Sequence, residues 1–200
     1  MYQNDTQKVL TGEVRLSYAA LVQPRAPQSG VGEPKYSVTI LIPKTDTATK
    51  AAIDAAMRAA AQEAVSTKWG GVAPPQPKHP LHDGDGVRPS GEAFGEECKG
   101  HWVITASSKN KPGVVNEYGV ELLPTDIYSG MYGRVTIRFF GYSNSGNKGI
   151  GCGLGNVLKT RDGEPLSAGN TSPDVDFAGI INPAFAAPAN PPAPQNPWAM

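Results

Sequence analysis

One stretch near the middle of this 200-residue chain has a helical period, and the segments around it alternate instead. That contrast restricts the fold more than any other feature. Ala48–Lys68, ATKAAIDAAMRAAAQEAVSTK, is dominated by the best helix former. Asp46 or Thr47 is placed to cap its N-terminus, and Gly70-Gly71 to end it. Ile53, Met57, Ala60, Ala61 and Ala64 recur at helical spacing and mark a thin apolar face. Their small side chains predict close packing on a sheet or a barrel end. Lys8–Ala20 and Tyr36–Ile42 read as strands before the helix. Gly100–Ser107, Tyr132–Tyr142 and Ile150–Lys159 read as strands after it. Gln23–Pro34, Val72–Gly95, Lys109–Gly113 and Ser143–Gly149 are turn-rich. The order β-β-α-β-β-β predicts a mainly β fold: a small, closed or partly open barrel of five or more strands with one helix at about 47–68. The OB-fold is the best-known architecture of that kind.

The chain carries 18 Lys+Arg and 18 Asp+Glu, a formal net charge of zero, which seems to exclude a polyanion partner. The distribution reverses that inference. Met1–Arg161 holds all 18 basic residues against 14 acidic ones, a surplus of four; Asp162–Met200 holds four acids and no base. Periodicity ends nearby. From Gly169 onward no apolar pattern persists, and Asn182–Met200 is rich in Pro, Ala and Asn. Such a segment buries too little apolar surface to offset its ordering entropy. The expected organisation is a folded body over 1–168 and a disordered, partly polyproline-like tail over 169–200. Trp198 is either a peptide anchor for a partner or an incidental aromatic. No run of 18 apolar residues exists, so no membrane span is expected. Met1-Tyr2-Gln3-Asn4-Asp5 lacks the basic and apolar regions of a secretory signal, and two cysteines make no disulfide framework. A cytoplasmic protein is expected.

The chemistry concentrates in Tyr132–Tyr142, YGRVTIRFFGY. Strand side chains alternate between faces. Gly133, Val135, Ile137, Phe139 and Gly141 form a core face. Tyr132, Arg134, Thr136, Arg138, Phe140 and Tyr142 form the other, which combines two guanidinium groups and three rings with no acid. Single-stranded nucleic acid requires that mixture: cations for phosphates and flat rings for stacked bases. The competing reading is a face where Arg stems cover rings in a second small core. In Ile150–Lys159, Gly151, Gly153 and Gly155 share one face, as a bare groove floor or as a barrel bend. This Gly-x-Gly-x-Gly lies inside a strand and opens no helix, so it is no dinucleotide fingerprint. Lys109 and Lys111 sit in one basic loop, Lys148 tips another, and Lys159 ends a strand; all four are candidate rim contacts. Trp69 and Trp102 are either base-stacking or buried structural rings.

Other chemistries fit less well. His79, His82, Cys98 and His101 present four N/S ligands in two pairs, but Pro80-Leu81 splits the first pair and no finger spacing matches. Asp83-Gly84-Asp85-Gly86 begins like a calcium loop but lacks the downstream Glu, so a tight turn is expected. There is no nucleophile elbow, P-loop or His-Glu-x-x-His, and Cys152 falls on an apolar strand face. No enzyme activity and no cofactor are expected.

Several motifs in order then resemble a known family. They are Thr11-Gly12 with Arg15-Leu16-Ser17-Tyr18, Lys35–Asp46 (KYSVTILIPKTD), the Ala-rich helix, and Pro80-Leu81-His82-Asp83-Gly84-Asp85. Lys111-Pro112, Ile127–Tyr132 (IYSGMY) and Lys148–Val157 (KGIGCGLGNV) complete the set, which runs from about Thr11 to Gly163. The set is similar to a phage family of single-stranded-DNA-binding proteins, long catalogued as a domain of unknown function and comparable with phage helix-destabilising proteins. The resemblance implies an OB-fold, single-stranded DNA as partner, protection of that DNA in phage replication and recombination, and replication or recombination proteins as further partners through the tail. One departure is visible: relatives of this kind usually end in a strongly acidic tail with a terminal aromatic, whereas this tail carries only Glu164, Asp174 and Asp176 and ends Trp198-Ala199-Met200. The alternative function is a structural β-barrel module of a phage assembly that docks a partner through its Pro-rich tail.

Overall fold

Alternating segments become strands close to the expected places in a computed structural model. It describes residues 5–166 apart from 28, 29, 31 and 145. The tail expected over 169–200, with Trp198, lies outside the described residues. Eight strands form: β1 Lys8–Leu10, β2 Val14–Arg25, β3 Lys35–Pro43, β4 Leu81–Asp83, β5 His101–Ser108, β6 Val114–Val115, β7 Tyr132–Asn144 and β8 Asn147–Arg161. Five of them close a ring, β2–β3–β5–β8–β7 and back to β2. Every ring pairing is antiparallel except β5–β8. This is a closed barrel with the strand order of an OB-fold, as expected.

The differences have local causes. The expected strand Lys8–Ala20 is two strands, because β1 pairs with β7 at Thr136–Arg138 while β2 pairs with it at Tyr132–Gly133. Between them the Thr11 and Val135 backbones and the Thr11 hydroxyl bond one another, at 3.0 Å each. β4 and β6, three and two residues long, are too short to show a period.

The helix α1 spans Thr47–Thr67. Asp46 is the cap: its Oδ1 accepts from the Thr49 N–H at 2.9 Å. Gly70 and Gly71, at φ 72° and 85°, take the left-handed conformation that ends it, and the Gly71 N–H donates to Val65 O at 2.7 Å. Thr49, Ile53, Ala56, Ala60 and Ala64 are buried; the expected Met57 and Ala61 lie at the margin of that face. The alanines do allow close packing. A Cβ at Gly141 of β7 would collide with Ala64 Cβ. The barrel core inside the ring holds Leu16, Ile40, Ile104, Val135, Ile137 and Phe139, all essentially inaccessible. Among the described residues, no helix is long and apolar enough to cross a membrane.

Candidate nucleic-acid interface

The alternation in β7 holds. Val135, Ile137 and Phe139 enter the core, and Arg134, Arg138 and Phe140 are exposed on the outer face. The register with β8 sets Phe140 opposite Gly151 and Arg138 opposite Gly153. A Cβ at Gly151 would lie 2.6 Å from the Phe140 ring. The missing side chain therefore lets the ring lie down on β8, leaving Phe140 47% exposed. The glycine strip is a floor, but Phe140 covers part of it and Thr136 packs over Gly155.

The rest of the face is more engaged than its own strand suggests. Arg138 Nε pairs with Asp5 Oδ2 at 3.1 Å, so an acid from outside β7 reaches a face that contains none of its own. The Tyr132 ring carries the Arg161 guanidinium at 3.4 Å and that of Arg15 at 5.7 Å, which occupies it as a packing element. Arg161 also donates to Glu13 at 3.0 Å. Hydrogen bonds from Thr160 and Arg161, with the Arg134 charge nearby, hold the Glu13 carboxyl below its usual range. Tyr142 is half-buried, and its carbonyl accepts from the Trp69 indole N–H at 2.9 Å. Trp69 is thus a buried structural ring.

The four lysines divide. Lys109 and Lys111 are exposed, paired with Glu33 and, at 3.7 Å, with Glu121. Lys148 donates to Trp69 O at 2.9 Å, which ties the β7–β8 loop to the end of α1. Lys159 is only 12% exposed; it pairs with Asp162 at 2.7 Å, donates to Asp126 O at 3.0 Å and lies over the Tyr128 ring. Hydrogen bonds from Lys159 and then Tyr128 hold Asp162 below the usual carboxylate range. Trp102 shares the inner face of β5 with Ile104 and Ala106, with the Lys44 and Lys50 ammoniums 5.1 and 4.9 Å from its ring. It stands apart from the outer strip.

A second region escapes the sequence reading. On the outer face of β3 and β5 a groove of about 1020 Å³ has a floor of Ser37, Thr39, Val103 and Thr105. The Thr39 and Thr105 hydroxyls meet at 3.1 Å across the two strands. Four basic residues line the groove, Arg25, Lys35, Arg88 and Lys109, against one acid, Glu33. Tyr18 and Phe94 supply its rings. No periodic signal marks the charged and aromatic residues, since they come from a strand bulge, the start of β3 and three turn-rich stretches; the weak clue is Arg25 and Lys35 near the two ends of Gln23–Pro34. The groove and the β7 face are continuous. One register row runs Ser37–Ser107–Gly153–Arg138–Lys8 across β3, β5, β8, β7 and β1.

The four zinc candidates do not converge. Cys98 is buried in a small outer core with Leu41 and Val103, His82 stands tilted against Phe94 with ring centroids 6.2 Å apart, and His101 Nδ1 meets Lys99 O at 2.7 Å. His79, on the chain leading into β4, joins no such set: among the described residues no three His, Cys, Asp or Glu side chains gather as a metal site. Asp83-Gly84-Asp85 is a turn clasped by Lys44, whose Nζ lies 2.6 Å from each carboxylate. Those hydrogen bonds raise the Lys44 pKa and lower both carboxyls. Burial pushes the Cys152 thiol up to about 12, so it stays protonated and inert.

Comparison with known proteins decides the family. The model for the family described as Enterobacter phage Enc34, ssDNA-binding protein, matches residues 7–184. The chain belongs to that family. Protein p50 of the Acyrthosiphon pisum secondary endosymbiont phage 1 is 30% identical over 181 residues, covering 85% of this chain and 92% of that protein. The single-stranded DNA-binding protein from bacteriophage Enc34, solved in complex with ssDNA, is 34% identical, with a TM-score of 0.67 over 81% of this chain and 90% of its own. The bacteriophage T7 single-stranded DNA binding protein gp2.5, 15% identical, shares the fold, with a TM-score of 0.54 over 82% of this chain and 97% of its own.

Proposed function

We propose that this protein binds single-stranded DNA without sequence preference and protects it during phage DNA replication and recombination, as a non-enzymatic binder in the host cytoplasm. The observation that carries the reading is the continuous outer strip from the β3–β5 groove, across the glycine floor of β8, to Arg134, Arg138 and Phe140. Phe140 offers an exposed ring lying flat on Gly151. Arg138 and Arg134 follow it along the same face of β7 as candidate phosphate contacts, and Lys109 and Lys111 lie at the rim. Base–aromatic stacking tolerates any sequence because every base has a π-face, and the cations track the backbone. Membership of the Enc34 family supports the reading, as does a relative solved with single-stranded DNA. Tyr142 serves at the end of the strip. Tyr132, Lys148, Lys159 and Trp102 serve as scaffold, because their partners lie within the protein. The tail over 169–200 docks replication or recombination proteins in this reading.

The test is a gel shift on oligo-dT and on duplex of equal length at two salt concentrations. The expected result is tighter binding to oligo-dT that weakens steeply with salt, because neutralising phosphates releases counterions. Equal binding to both, or none, overturns the reading.

A further inference from the structure

Gln7, on the chain entering β1, is a polar side chain with almost no access to solvent, 7% exposed. A buried amide requires partners at both ends. Its Nε2 donates to the Glu63 carboxylate of α1, and its Oε1 accepts from Arg138 Nη2 on β7 at 3.4 Å. The backbone fixes the residue in place. The Gln7 carbonyl accepts from the Phe139 N–H at 2.9 Å, and the Gln7 N–H donates to Asp5 Oδ1 at 3.1 Å. Gln7 therefore stands between the helix and a cation of the outer strip.

An amide donates at one end and accepts at the other. Arg138 is too exposed to select the end by itself, with 61% of its side chain accessible. Glu63 selects it. A carboxylate only accepts, so it takes the NH2 end and turns the carbonyl end toward the guanidinium, which only donates. Acid, amide and guanidinium in that order satisfy every contact. A cation at position 63 would reverse the amide and set its NH2 end against Arg138. The amide is neutral and its bond is long, so it steers Arg138 without competing for its charge, unlike Asp5. A long side chain that is already steered loses less freedom when it takes a phosphate.

We propose that Gln7 is a positioning residue for DNA binding: oriented by Glu63, it aims the Arg138 guanidinium at phosphate. This deepens the preceding reading and rests on it. It also makes an acid on α1 favour binding to a polyanion, the reverse of what its charge alone would do.

The test titrates the full-length protein and its variants with oligo-dT. Glu63→Lys is decisive, because two expectations differ in sign. Charge alone predicts tighter binding, since the protein becomes more basic. Positioning predicts binding weaker by about two- to tenfold, the cost of ordering one long side chain at an interface. Gln62→Lys, exposed on the same helix, adds a cation without reversing the amide and should bind at least as tightly as wild type. Glu63→Gln should behave as wild type, because its own carbonyl can accept from Gln7 Nε2. Gln7→Met keeps the length, removes the amide and should weaken binding as Glu63→Lys does. Glu63 is exposed, so Glu63→Lys keeps the test open if Gln7→Met unfolds. In an Arg138→Ala background neither change should weaken binding further. Tighter or unchanged binding by Glu63→Lys, or an equal loss in the Arg138→Ala background, overturns the proposal while leaving DNA binding intact. Failure of wild type to bind oligo-dT overturns the preceding reading and this one with it.

Discussion

The β7 face and the β3–β5 groove lie on one surface, but their construction differs. The first is one strand whose alternate residues already carry the chemistry. The second gathers a bulge in β2, the edge of β3, two residues of β5 and the segment after β4. On the β7 face one of the two charges and one of the rings are answered from within the molecule: Asp5 reaches Arg138, and Arg161 covers Tyr132. In the groove Tyr18 is strained and exposed, while Arg88 Nε is buried without a hydrogen-bond partner. The lesson is that cationic residues in a row do not by themselves make a ligand site.

The largest expected effect tests what the two regions share. α1 packs on β7 so closely that any side chain at Gly141 must push the helix away at Ala64. Gly141→Val is expected to cost about 3 kcal/mol of stability, the upper part of the overpacking range. Thermal unfolding measures it. Binding to oligo-dT and to an abasic strand of equal phosphate number should fall together as folded protein is lost; selective loss of one would mean that α1 supports one region only.

Next in size is the charge on the strip. Arg134→Ala with Arg138→Ala removes two candidate phosphate contacts, each worth a slope of about 0.7 for single strands. The expected loss is roughly tenfold in affinity at 0.1 M salt, with a shallower dependence on log salt. The ratio of oligo-dT to abasic affinity should not move, because both strands offer the same phosphates. A shift in that ratio would merge the two regions into one site.

Much of the scaffold was legible because its signals are local. The Ala-rich run, Asp46 before it and Gly70-Gly71 after it specify α1 within a residue or so. Alternation specified β7 and β8, and with them the outward Arg134, Arg138 and Phe140. The flat Phe140 ring on Gly151 was half legible, as three bare glycines without the ring that covers one. The groove was not legible. Nothing in Arg15-Leu16-Ser17-Tyr18 announces a left-handed tyrosine, because tyrosine has no preference for that conformation. Lysine environments were hard to read for a related reason. Lys148 and Lys159 read as rim contacts, but their partners Trp69 and Asp126 become neighbours only through folding, and only Asp162, three residues from Lys159, is close in sequence. Loop basicity can be counted along a chain; its neutralisation cannot.

The smallest expected effect probes that neutralisation. Asp5 competes for Arg138 in the place a phosphate would occupy, with both side chains partly exposed. Asp5→Asn removes the charge but keeps the side-chain oxygen to which the Gln7 N–H donates at 3.1 Å. Exposed ion pairs contribute about 0.2–1 kcal/mol, so release of Arg138 should tighten oligo-dT binding by roughly two- to fivefold at low salt. The gain should fade as salt rises, since screening weakens the pair and the phosphate contact alike. In an Arg138→Ala background the same substitution should have a smaller effect, limited to relief of general repulsion between Asp5 and the DNA. Titrations of the two single variants and the double variant complete the cycle. Additive effects would show that Asp5 acts on the DNA and not through Arg138, and the β7 face would then differ from the groove in composition only.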